Sequence, residues 1–166
     1  MDSSRHRPGP TIAEPYRRTQ HGPLWVILLA AGAALAAGAS APGIDRVAAV
    51  ALGAGVAFMV LLALCFATLT IEDTGDAIAA RFGPLPVFSA SIPFASITGV
   101  RTARSTLLDG WGIHWTPGKG WIYNLWGFDC VEIHHRGTTT RFGTDDPEGL
   151  AAAVASRAGL PIDTAP

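Results

Sequence analysis

Two kinds of patterning divide the chain. Residues 24–41 and 47–71 are near-continuous apolar runs, separated by Pro42-Gly43 and the adjacent pair Asp45-Arg46. Each run falls within the roughly 17–25 residues that cross a hydrocarbon core about 30 Å thick. Pro42-Gly43 ends the first helix, and the Asp45 carboxylate can accept from the free N–H groups that open the second. The pattern predicts a two-helix transmembrane hairpin with a very short turn and with both chain ends on one side. From residue 72 to 166 the period changes to short alternating runs, the mark of a mainly β domain. Residues 76–82 stop at Gly83-Pro84-Leu85-Pro86, a turn signal, and runs 87–92 and 97–102 are separated by Pro93. Residues 111–116 and 121–125 flank Pro117-Gly118-Lys119-Gly120, a hairpin of the longer-loop type. A second hairpin joins 128–134 to 138–142 through His135-Arg136-Gly137. Thr68-Leu69-Thr70-Ile71 alternates as well and can supply a first strand as the chain leaves the membrane.

The final element reads as helix. Asp146 is its cap, Pro147 suits the first position, and Glu148 lies at the positive end of the dipole. Leu150 and Val154 share a face, and Gly159 with Pro161 stops the run. Six or seven strands plugged at one open end by a single helix are therefore expected.

Charge explains where this chain belongs. Charged residues are 15% of the sequence, against about 25% in ordinary soluble proteins. Such a composition excludes both a wholly soluble enzyme and an intrinsically disordered chain. A net charge of −1 argues against nucleic acid as a partner. Arg5, Arg7, Arg17 and Arg18 precede the first apolar run, whereas the turn carries only Arg46. By the positive-inside rule, both termini face the cytoplasm of a multi-pass protein in the inner or plasma membrane. Residues 1–23, with four prolines and no apolar period, read as a disordered tail. Ala39-Ser40-Ala41 also fits a signal-cleavage pattern, but Pro42 directly after it and the long leading segment favour a retained helix. Small residues at Ala30, Ala34 and Gly38, and at Ala49, Gly53 and Ala57, would allow close helix packing or a helix-mediated oligomer, although an alanine-rich helix yields such spacings by composition alone. With no other acidic or basic side chain between residues 24 and 71, an ion path or proton relay has no support.

The strand and helix order, together with Gly112-Ile-His-Trp-Thr-Pro117, Gly120-Trp-Ile-Tyr-Asn124, Val131-Glu-Ile133 and Phe142-Gly-Thr-Asp-Asp-Pro147, resembles small bacterial membrane proteins that carry a pleckstrin-homology-like (PH-like) domain. The resemblance covers roughly residues 68–159. It implies a split β-barrel capped by a C-terminal helix and transfers no catalytic residue. Phosphoinositide-binding PH domains place several Lys/Arg in and beside the loop joining their first two strands. Here that region offers Glu72, Asp73 and Asp76 with only Arg81, so specific phosphoinositide binding is not expected.

No catalytic, cofactor or metal constellation stands out. His134 and His135 are adjacent on a strand and point to opposite faces, which prevents joint chelation. His114 lacks a partner at ligand spacing. Cys65 and Cys130 cannot plausibly meet, and Cys130 reads as a small core residue. Asp145, Asp146 and Glu148 are explained by capping. Glycines 110, 112, 118, 120 and 127 read as turn and bulge residues rather than a phosphate loop. Six aromatics lie between residues 111 and 128. Alternation puts Trp111, Ile113 and Trp115 on one face and Trp121, Tyr123 and Leu125 on one face of the next strand, so at least one row should fill the core. The short connection to the membrane suggests that one of Trp115, Trp121 or Trp126 is exposed near the bilayer or a partner, with Lys119 reaching lipid phosphates, while Trp111 and Tyr123 are core. The expected function is a membrane-anchored, non-enzymatic interaction or scaffold protein. Its partners are the lipid bilayer and another membrane or envelope protein. The alternative is an enzymatic or metal-dependent accessory subunit of a membrane complex, using His114, His134 or Asp129.

Overall fold

In the computed structural model, which describes residues 15–106 and 111–161, the first strand lies inside the segment that reads as a disordered tail. Strand β1 (Arg17–His21) pairs antiparallel with β2 (Thr68–Asp73). Between them the chain makes its whole helical excursion, α1 (Leu24–Ala39) and α2 (Arg46–Cys65). His21 stands opposite Thr68 and Arg17 opposite Glu72. The helices are thus an insertion between two neighbouring strands, and the β domain starts before them, not at residue 72. Arg-Arg-Thr-Gln-His has no apolar period, so nothing local marks it as a strand. Long-range partners hold it: Arg18 donates to both Asp145 oxygens at 2.9 and 3.1 Å, and the Thr19 and Thr70 hydroxyls meet at 2.8 Å. Residues 1–14, with Arg5, Arg7, Pro8 and Pro10, lie outside the described residues.

The helix boundaries also move. Asp45 Oδ1 accepts from the Val47 and Ala48 amides at 2.9 and 3.0 Å, capping α2 as expected. This helix of 20 residues is long and apolar enough to cross a membrane. It ends at Cys65 and not at residue 71, because Thr68–Ile71 takes the strand alternative and sends Leu69 and Ile71 into the core. Helix α1 is shorter, at 16 residues. A Cβ added to Gly32, Gly38 or Gly55 would touch Met59, Leu52 or Leu35, so these glycines mark where the helices approach. Gly53, one of the small residues singled out by spacing, faces away from α1, where an added Cβ would meet nothing within 4 Å.

Strands β3 (Ala77–Gly83) and β4 (Ser89–Pro93) complete a sheet ordered β1-β2-β3-β4. After a 3-10 turn at Phe94–Ser96 comes a second sheet. It contains β5 (Ile97–Arg104), β6 (Gly112–Thr116), β7 (Gly120–Asn124), β8 (Asp129–His135) and β9 (Thr138–Gly143) in the order β5-β8-β9-β7-β6. Among the described residues eight strands therefore follow the helices instead of six or seven. Both expected hairpins form, and a parallel pairing of β7 with β9 joins them. One hydrophobic core is fed by Leu69, Ile78 and Phe82 of the first sheet and by Val131, Ile133 and Phe142 of the second. Leu150 and Val154 of α3 (Pro147–Ala158) enter the same core.

Helix α3 begins as its sequence dictates, with Asp146 Oδ1 accepting from the Gly149 amide at 3.1 Å. Gly159 closes it at φ 68°, a left-handed conformation that favours glycine. The Tyr16 hydroxyl donates to Asp146 Oδ2 at 3.3 Å. Burial, the largest cause, pushes the Tyr16 phenol up to about 12, so it keeps its proton at neutral pH. Asp146→Ala is expected to cost roughly 0.5–2 kcal/mol, read as a lowered denaturant midpoint. An unchanged midpoint would show that the cap contributes nothing.

Candidate membrane interface

The two ends of the helical pair enter the β domain without a linker. On one side Gly22 and Pro23 separate β1 from α1, and on the other Phe66 and Ala67 separate α2 from β2. Gly22 is packed so closely against the β7–β8 loop that an added Cβ would lie 2.8 Å from Leu125 Cγ and 3.1 Å from Trp126 Cβ. Trp126 in turn meets Trp111, ring centroids 4.3 Å apart. Both rings are exposed, as is Trp25 in the first turn of α1. At the other end, the Leu85 amide donates to the Leu64 carbonyl in the last turn of α2 at 3.0 Å. Phe66 stacks on Phe88 at 5.2 Å and meets Phe82 edge-on at 5.0 Å. Leu85 and Val87 nevertheless remain 40% and 61% exposed.

The residues singled out by sequence separate into two places. Trp115 and Trp121 are direct partners across β6 and β7 and are 59% and 47% exposed. Lys119 lies half-buried in the turn beside them, its amide donating to Thr116 at 3.1 Å. Trp126 belongs to the other end of that hairpin, five residues beyond Trp121, with Trp111. The expectation that Trp111 is core is corrected: it is exposed, because it precedes β6 and its ring lies tilted against Trp126 and not among the core side chains. Tyr123 does pack on the core, edge-on to Phe142 at 5.9 Å. Leu125 is fully buried, so the Trp121-Tyr123-Leu125 row passes from solvent to interior along its length. Leu85, Val87 and Trp25 escaped the sequence reading. The signal for Leu85 and Val87 is a turn, Pro84-Leu85-Pro86-Val87, with no polar side chain.

The histidines do not converge. His114 is on edge strand β6 and His134 on β8, three strand spacings apart in the sheet, roughly 14 Å. Asp129 and His134 are five residues apart on one strand and so face opposite ways. Among the described residues no three His, Cys, Asp or Glu side chains could hold a metal ion together. His134 Nδ1 instead meets the Thr139 hydroxyl at 3.1 Å, and His135 Nε2 meets that of Thr140 at 2.9 Å. Burial, then the charge of Arg136 and the proximity of His134, holds the His135 imidazole below its ordinary value. Asp145 is occupied by Arg18, whose hydrogen bond is the main cause that lowers its carboxyl. Cys65 and Cys130 are both buried, and the Cys130 thiol donates to the Ala103 carbonyl at 3.4 Å.

An ionic row centred on buried Glu132 crosses the second sheet. Glu132 Oε1 accepts from Arg101 Nε and Nη2 at 2.8 and 2.6 Å, and Oε2 accepts from Arg141 Nε at 2.8 Å. His134 Nε2 lies 3.1 Å from Oε1. Burial opposes ionisation of Glu132, but hydrogen bonds from Arg141 and Arg101 outweigh it and hold the carboxyl below its ordinary value. Every lone pair on this carboxylate has a donor facing it, so the row cements the sheet and offers no free general base. Compared with known proteins, the sequence matches no family model and no curated protein.

Proposed function

We propose that this chain is a membrane-anchored, non-enzymatic interaction or scaffold protein in which both apolar helices cross the bilayer as a hairpin and hold a PH-like domain at the cytoplasmic surface. The observation that carries this reading is the insertion of the helices between paired strands β1 and β2. His21 and Thr68 face each other, so an antiparallel helical pair must leave and return at one edge of the sheet. The domain is clamped to the membrane at two points and cannot swing on a tether. Such an arrangement suits a module that presents its surface to another membrane or envelope protein at a set height.

Two sheets around one core, closed by a C-terminal helix, support the PH-like reading. In and beside the connection from β2 to β3, where the resemblance places the cations of phosphoinositide-binding PH domains, this chain carries Asp73 and Asp76 instead, while its membrane attachment lies in the apolar helices. That supports the bilayer as a whole, rather than a specific inositide, as the lipid partner. Helix α1 would span about 24 Å at 1.5 Å per residue, short of the hydrocarbon thickness. Its membrane would have to thin locally or draw flanking residues inward.

Reporter fusions at the N-terminus and after Pro166 are both expected to score as cytoplasmic, with residues 42–46 accessible from outside. A C-terminus outside the cell would overturn the topology. Crosslinking in native membranes should capture the same partner protein reproducibly, and consistent failure across growth conditions would count against the scaffold role.

A further inference from the structure

We propose that the β3–β4 loop, residues 84–88, is a third membrane contact, lying among the acyl chains at the edge of the leaflet nearest the domain and fixing the domain's orientation against the bilayer. This rests on the hairpin crossing argued above. The first support is length. Helix α2 has 20 residues, about 30 Å at 1.5 Å per residue, which only just equals the hydrocarbon thickness. Asp45 and Arg46 hold its far end among headgroups, so Cys65 sits at the near boundary of the hydrocarbon. Any tilt of the helix draws that end deeper. The Leu85 amide is hydrogen-bonded to Leu64, one residue inside that boundary.

Backbone chemistry supplies the second support. The last carbonyls of a helix have no partner within it, and in hydrocarbon no water can serve them. The Leu62 carbonyl receives the Phe66 amide, and the Leu64 carbonyl receives that of Leu85. Within the loop, Pro84 and Pro86 have no N–H to satisfy. The Leu85 amide is used on Leu64, and the Val87 amide donates to Leu85 at 2.9 Å. From residue 84 to 87 no backbone donor needs water. Satisfied donors are what a loop entering lipid needs.

Side chains give the third support. Leu85 and Val87 stand exposed beside Leu64, itself exposed on α2, so whatever surrounds the helix end surrounds them. A cleft of about 200 Å³ adjoins the loop, bounded by Pro84, Pro86, Thr70, Glu72, Arg17 and Arg81. Glu72 lies 2.8 Å from Arg81 and 3.5 Å from Arg17, two cations against one carboxylate. Arg81 precedes Gly83 by two residues, roughly 7 Å of strand, the step from acyl edge to lipid phosphate. Apolar loop below and cationic surplus above reproduce the layering of the leaflet.

Spin labels on Leu85→Cys and Val87→Cys test the proposal in the full-length protein, reconstituted in phosphatidylcholine–phosphatidylglycerol vesicles. Phe58→Cys, exposed midway along α2, reports the crossing, and Ala95→Cys, at the far end of the first sheet, reports water. Native Cys65 and Cys130 are buried, and unsubstituted protein supplies the blank. Collisions with oxygen, which enters lipid, are compared with those of a water-soluble nickel chelate. Labels at 85 and 87 are expected to lose nickel collisions and gain oxygen collisions relative to 95, at a depth shallower than 58. If 58 is lipid-exposed but 85 and 87 match 95, the loop is free in water and the proposal is overturned while the anchoring stands. Should 58 also match 95, the crossing itself fails and the loop contact falls with it.

Discussion

Replacing residues 22–67 by Asn-Gly is expected to yield a water-soluble, mainly β domain, whereas a chain beginning at Thr68 is expected to be strongly destabilised and prone to aggregate. His21 and Thr68 are opposite one another in the β1–β2 ladder, and a two-residue Asn-Gly turn is the favoured connection for such a pair. The shortened chain therefore keeps every strand and loses the helices together with the Phe66 ring that packs on Phe82 and Phe88. Starting at Thr68 instead removes β1, which is paired with β2 over Arg17–His21. It also removes Tyr16 from the core surface and Arg18 from Asp145. At a net ~1 kcal/mol per hydrogen bond, the loss is on the order of several kcal/mol against a typical domain stability of 5–15 kcal/mol. Strand β2 would also become an unprotected edge. Circular dichroism during urea unfolding and size-exclusion chromatography would compare the two. Equal stability would mean that β1 is no part of the domain.

The second large effect is expected at Glu132. Its side chain is 3% exposed and Arg141's is 10% exposed. Glu132→Gln leaves a buried guanidinium without a counterion, a change that costs about 3–5 kcal/mol in comparable pairs. Most of this comes from Arg141, because Arg101 is half exposed and water screens it. The double replacement Glu132→Leu with Arg141→Met should recover much of the loss, since an apolar pair of similar volume needs no compensation. Full-size destabilisation in the double variant would show that shape, not charge, matters at this position. The pH dependence has a definite sign. The Glu132 carboxyl is held below its ordinary 4.5 in the folded state, so its contribution is complete above that value. It is lost as acid takes the pH down through the lowered folded value. The Gln variant should lack that part of the acid limb in a plot of stability against pH.

Local chemistry was enough for most elements. Alternation located the runs after the helices closely enough to separate the two hairpins, although six or seven strands were expected and eight form among the described residues. Asp45 and Asp146 both cap the helices that their positions announced, because capping needs only a side-chain oxygen two or three residues from a free amide. Unbroken apolarity likewise marked the helical pair.

What only the tertiary structure decided follows from contacts that no short window contains. β1 is polar and lies at a sheet edge, so its strand character exists only through β2, on the far side of the helices. Alternation states which side chains share a face, but not where the opposing sheet stops. Trp115 and Trp121 share a face with core residues and are nevertheless exposed, and Trp111 lies outside the core. The Glu132 row required β5, β8 and β9 to come together in one order, which hydrophobic period leaves free. The 84–88 loop reads in sequence as a turn; its hydrogen bond to Leu64 makes it part of the helix end, because the unpaired carbonyl that it serves appears only when the chain has folded back on itself.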